Sequence, residues 1–153
     1  MRAVAVCAVW VAVIAGILAG ADASFQIQGF VYCLDEKGAP TVGPEGEPCA
    51  AQGHRYALNT LEGKLYPLVR GDVGESLFVD RRLHERTLLL TLLASRTAGA
   101  FEVLAVQSVV SGVVHNVYYF CDVCNIRDFA PGPCDCCRQP YQFIEQPARS
   151  SDQ

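Results

Sequence analysis

The sequence predicts a mainly β protein: a small five- to six-stranded barrel or sandwich ending in a cysteine-rich segment. Three observations carry this. Apolar residues after position 23 fall largely in short runs that alternate, or that are rich in β-branched and aromatic side chains. Gly, Pro and Asp punctuate those runs as turns. Five of the eight cysteines lie between Cys121 and Cys137. Of the 153 residues, about 130 remain once an apolar leader is set aside, enough for one domain that buries roughly two-thirds of its unfolded surface. Two large domains and a multi-span membrane protein are excluded.

Positions 1–23 read MRAVAVCAVWVAVIAGILAGADA. Arg2 is a positive start, 3–19 carry no charge, and Ala21-Asp22-Ala23 offers the small-x-small pattern of signal-peptidase cleavage. The expected cut is between Ala23 and Ser24. An uncleaved anchor is the rival reading, but the run falls short of the ~20 residues that span a bilayer. A lipid-modified cysteine does not fit, because Ala21 follows Ile17-Leu18-Ala19-Gly20 and Cys7 lies too early. The mature chain is therefore expected in the bacterial periplasm or outside the cell, with no stable membrane anchor. There disulfides persist. A net charge of −4 and a pI near 5.3 argue against a nucleic-acid footprint.

Residues 24–34 (SFQIQGFVYCL) alternate and read as the first strand. Residues 35–53, with four Gly and three Pro, form a long loop. Residues 54–60 and 64–69 make a second and a third strand around Leu61-Glu62-Gly63, with Pro67 marking an edge or a strand end. Residues 71–85 carry mixed charge around a short helix. The run 86–95 (RTLLLTLLAS) suits a helix by Leu propensity. Its shortness and its flanking charges and turn favour a buried strand. Residues 96–100 form the turn into two more strands, 101–111 and 113–120. Residues 147–153 read as a solvated tail.

The order strand-strand-strand-helix-strand-strand resembles the OB-fold, a partly open five-stranded barrel, over roughly residues 26–118. Fold alone does not imply nucleic-acid binding. Phe25, Tyr32, Tyr56 and Tyr66 are read as core and barrel packing, not as a stacking platform.

The segment 118–143 reads YYFCDVCNIRDFAPGPCDCCRQPYQF. Cys121-x2-Cys124 and Cys134-x2-Cys137 are two tight bends, each able to aim two thiolates at one point. Converging, they would place four sulfurs tetrahedrally around Zn²⁺ at about 2.3 Å. Pro131-Gly132-Pro133 turns the second bend back on the first. The pattern resembles the zinc-ribbon and rubredoxin-type knuckle pair, with a short nine-residue spacer. That resemblance implies a structural zinc on Cys121, Cys124, Cys134 and Cys137. Cys136 lies inside the second knuckle as a substitute or exchange ligand. The stretch YYFCDVCNIRDFAPGPCDCC is also similar to the ending of a group of small exported bacterial proteins of uncharacterised function. Fe and Cu(I) suit the same thiolates. A disulfide knot is the rival to any metal, although five cysteines leave one unpaired.

Cys33 and Cys49 remain, and export favours a bridge between them across the long loop. His54, His84 and His115 fall at no ligand spacing within the cluster and read as surface or hydrogen-bonded structural residues. Arg81, Arg82 and Arg86 are offset by Asp80 and Glu85 and read as a solvated face. There is no H-E-x-x-H, G-x-S-x-G or phosphate loop. Cys121 follows a strand pattern, which argues against a thioredoxin-like site at a helix N-terminus.

The sequence thus divides into a signal peptide (1–23), an OB-like β domain (24–118), a cysteine-rich metal-binding knuckle (119–146) and a tail (147–153). The expected function is non-enzymatic: a four-cysteine site that is structural or shapes a surface for a protein partner. Copper or zinc handling through Cys136 is the alternative, and thiol–disulfide exchange is a weaker one.

Overall fold

The computed structural model describes residues 23–41, Cys49 and 54–149. The leader up to Asp22, most of the loop after Thr41, and residues 150–153 lie outside the described residues. The strands are β1 (Phe25–Leu34), β2 (Pro40–Thr41), β3 (Arg55–Thr60), β4 (Leu65–Pro67), β5 (Leu88–Ala94), β6 (Phe101–Val110), β7 (Val113–Cys121), β8 (Ile126–Asp128) and β9 (Gln142–Pro147). Between β4 and β5 lie the short helix α1 (Glu75–Val79) and a 3-10 turn over Arg81–Leu83. All strands join one antiparallel sheet in the order β4-β3-β1-β5-β6-β7-β8, with β2 beside β1 and β9 beside β7. No helix among the described residues is long and apolar enough to cross a membrane.

The protein is mainly β, as expected, but the ladders do not close into a barrel. The two ends of the first five-strand run meet only at an isolated parallel bridge, Leu68 to Phe101, with the Val69 amide donating to the Phe101 carbonyl at 2.9 Å. The physical reason is in β4, which is three residues long and ends on Pro67, a residue with no N–H to extend a ladder. The sheet has nine strands where five or six were expected.

β1 organises the sheet by changing partners midway. Phe25–Gly29 pair with β5, and Gly29–Leu34 pair with β3. At the crossover an ideal Cβ on Gly29 would lie 2.2 Å from the Asn59 carbonyl oxygen, so glycine is required there by close backbone approach. β5, the leucine run, is a strand: Leu88, Leu90 and Leu92 point into the core and are fully buried, while Leu89, Thr91 and Leu93 are half-buried. Leu58, Leu77 and Leu83 complete the core, where Tyr56 meets Phe78 edge-on at 4.8 Å. Phe25, Tyr66 and Phe101 form an aromatic cluster beside it. Tyr32 departs from the packing expectation and is 41% exposed.

The charged stretch after α1 is solvated at Arg81, Arg82 and Glu85, as the sequence suggested, but not at Asp80 and Arg86. Asp80 is only 6% exposed. Its carboxylate accepts from the backbone and the guanidinium of Arg82, and from the Tyr119 hydroxyl at 2.6 Å. Arg86 pairs with Glu145 of β9 at 3.0 Å, not with Glu85, and Glu145 also accepts from the Ser108 hydroxyl. The Phe143 ring lies under both guanidiniums, 4.4 Å from that of Arg82 and 5.2 Å from that of Arg86. Complementary charge inside a packed seam thus ties β9 to the segment before β5.

Cys33 and Cys49 are disulfide-bonded, with Cα atoms 5.7 Å apart. His54 places Nδ1 3.6 Å from the Cys33 sulfur. His84 donates from Nε2 to the Leu77 carbonyl at 2.7 Å, and His115 contacts the Val113 carbonyl through Nδ1. All three therefore have structural contacts.

The buried Asp80 and half-buried Glu145 carboxylates make stability depend on pH. Burial pushes the Asp80 carboxyl up, but hydrogen bonds from Arg82 and Tyr119 outweigh it and hold the carboxyl below its ordinary value. Glu145 is held low by Arg86. A carboxyl depressed on folding contributes stability above its unfolded pKa, near 4, and that contribution is lost as pH falls through the folded value. Resistance to urea should thus weaken below about pH 4, and Asp80→Asn should remove about 1.5–3 kcal/mol at pH 7 and flatten that acid limb. Replacing Cys33 and Cys49 together by Ala should lower unfolding free energy by about 3 kcal/mol, read from the urea midpoint at unchanged slope.

Candidate metal centre

Each cysteine pair occupies the tip of an antiparallel turn. Cys121 is the last residue of β7 and faces Ile126 of β8 across the first turn. In the second, Pro133 bridges Pro140, the Cys134 amide donates to the Gln139 carbonyl at 2.7 Å, and the Arg138 amide donates to the Cys134 carbonyl at 2.8 Å. The residue after the second cysteine is left-handed in both: Asn125 at φ 55° and Arg138 at φ 64°. A reversal there lets the chain leave the bend while both sulfurs face the same side. Asn tolerates that conformation, whereas for Arg it costs roughly 1–2 kcal/mol. The sequence reading missed both positions, since neither is glycine.

The two tips face each other. The sulfurs of Cys121, Cys124, Cys134 and Cys137 all lie within 4.8 Å of one another, and those of Cys121 and Cys137 are 3.5 Å apart. Four sulfurs held tetrahedrally at 2.3 Å from a zinc-sized ion would be about 3.8 Å apart. Cys121 and Cys134 are buried, Cys124 and Cys137 are half-buried, and Cys136 is exposed. All five are free thiols. The four expected ligands are thus brought together, and the cluster could hold one metal ion.

The surrounding groups favour thiolate at one position. Amides of Cys137 and, against the cost of burial, Cys136 push the Cys134 thiol down to about 6. Burial raises Cys121, while the thiols of Cys136 and then Cys137 raise Cys124. Tyr141 is pushed up to about 12 by burial and by Cys134. Cys33, Cys49 and His54 also cluster, but the two sulfurs there are consumed by their mutual bond.

The short spacer places a further element. Residues 125–133 contain β8 and a turn in which the Asp128 carboxylate accepts from the amides of Phe129 and Ala130, at 2.7 and 3.1 Å. Tyr119, two residues before Cys121, is fully buried and bonded to Asp80, so the first tip is rooted in the core. Sequence reasoning had no signal for that root beyond the strand period itself, which puts residues 119 and 121 on one face.

Comparisons with protein-family models, curated proteins and solved structures found no match.

Because Arg138 is left-handed, Arg138→Gly should raise the unfolding free energy by about 0.5–1 kcal/mol in urea titration. Asn125→Gly should change it less.

Proposed function

We propose that this chain is an exported, non-enzymatic zinc-binding protein in which Cys121, Cys124, Cys134 and Cys137 hold one Zn²⁺. On this reading the ion fixes the Pro/Gly-rich C-terminal segment against an OB-like β domain and shapes a surface for a protein partner. The observation that carries it is a contrast within one chain. Cys33 and Cys49 are bonded to each other, whereas four cysteines at the C-terminus converge without bonding, at spacings compatible with a tetrahedral ion. A site of four thiolates with no ligand position left for water suits structure better than hydrolysis. Apparent binding energies of about 10–16 kcal/mol near pH 7 are ample to order a segment with little core of its own. The OB-like arrangement is supported by the strand order and by the parallel contact of Leu68 with Phe101. Export is supported by the leader pattern and the disulfide. An acidic chain without a basic stripe is not proposed to bind nucleic acid.

A second reading is periplasmic copper or zinc handling, with Fe or Cu(I) as further occupants of the same thiolates. One observation favours it: Cys136 is exposed inside the second tip, where an acceptor could reach it.

Metal analysis of the purified mature chain, with a thiol count before and after chelation, tests both readings. The structural reading expects about one tightly held zinc per chain, four thiols that become reactive only after chelation, and a Cys136→Ser variant with unchanged metal content. Rapid loss of metal to a mild acceptor, abolished by Cys136→Ser while the β domain stays folded, would replace it by the handling reading. A chain with no metal and with C-terminal disulfides would defeat both.

A further inference from the structure

Along one edge, β7 changes neighbours. Val113–Asn116 pair with β6, and Tyr119–Cys121 pair with β8. β6 itself runs on past the split, and its other edge is held by β5 from Phe101 to Ser108. Away from β7, β6 has one isolated bridge, at Phe101, and Gly74 packs against the Val103 side chain, but residues 102–106 have no second ladder partner among the described residues. A cleft of about 320 Å³ opens at this point. That is the lower end of the range for ligand sites.

The chemistry of the cleft is unlike the rest of this acidic surface. No charged side chain lines it. Its polar groups are neutral and held in place. Ser76 reaches it from α1 and is only 2% exposed. Gln107 is 9% exposed and donates from Nε2 to Asn116 Oδ1 at 2.8 Å, which fixes the amide and leaves its carbonyl oxygen as an acceptor in the cleft lining. The lip is apolar: Leu104 is 44% exposed and Phe129 is 57% exposed. Phe129 stands on the spacer between the two cysteine pairs.

We propose that this cleft takes an extended, uncharged peptide segment of a partner protein, which adds as a strand to the open edge of β6. Unpaired backbone groups of residues 102–106 supply the main-chain ladder, the mode by which exposed edges capture peptides. The Ser76 hydroxyl and the Gln107 carbonyl accept peptide N–H groups, and an apolar side chain of the segment rests between Leu104 and Phe129. A charged segment would have to desolvate its charge in a cleft that offers none in return. The position of the Phe129 wall rests on the metal-centre reading above; the open edge and the neutral lining do not.

The test uses the ¹⁵N-labelled, metal-loaded mature chain and the capped peptide acetyl-Thr-Val-Phe-Val-Thr-amide. Saturable shifts should appear at residues 102–107 and at Phe129, with a Kd of about 0.1–1 mM and slowed amide exchange along 102–106. Leu104→Arg should weaken binding at least tenfold, and Leu61→Arg, at an exposed apolar residue in another turn, should leave it unchanged. Absence of shifts at about 5 mM peptide, or shifts centred elsewhere, would overturn the proposal. So would equal affinity for methyl glucoside, or concentration-dependent shifts of the same amides without peptide, which would assign the edge to a second copy. Metal content is measured on the same sample. Loaded chain that ignores the peptide sinks the cleft and leaves the metal centre standing. Peptide binding by a chain that never takes up metal supports the cleft and sinks the metal centre.

Discussion

The C-terminal half of this molecule depends on two inward side chains of β7 placed two residues apart. Tyr119 goes to the buried Asp80 carboxylate, and Cys121 goes to the sulfur cluster. A strand period of two puts them on the same face, so a single register fixes both. Slipping β7 by one residue would withdraw the phenol from its acceptor and turn the sulfur outward in the same movement. The cluster therefore does not sit on an independent appendage. It is the continuation of a strand whose other neighbours, β6 and β9, are set by ladders and by the Arg86–Glu145 pair.

Most strands among the described residues between 25 and 121 were legible because local pattern and tertiary demand agree there. Alternation in β1, the turn at Gly63 and the chain reversal after Val110 are local signals, and the strands follow them. The leucine run of β5 was ambiguous by composition. Its flanking charges and turn decided it, since a central strand can be apolar on both faces. The four convergent cysteines were legible for a different reason: two-residue spacing is a geometric device independent of the fold around it.

What was not legible is non-local. β9 reads QFIEQP, a segment with no useful period, and exists because β7 offers it an edge and because Phe143 and Glu145 meet arginines more than fifty residues away in sequence. Asp80 looks like one member of a charged surface run until Tyr119, 39 residues on, arrives above it. The left-handed residues after each cysteine pair were hidden because Arg138 holds a place where glycine would have announced the turn. The unclosed sheet has the same origin. The succession of strands around a short helix was readable, but whether β4 is long enough to meet β6 depends on where Pro67 stops the ladder.

The Phe143 ring beneath Arg82 and Arg86 bears on tolerance of the surrounding medium. Bare ion pairs on a surface fade once dissolved salt brings the screening length down to the size of a side chain. Here each guanidinium lies over a π-face as well as against a carboxylate, and the Arg86–Glu145 pair is partly buried, where salt screens less. The fastening between the last strand and the core should therefore weaken less in brine than exposed ion pairs do.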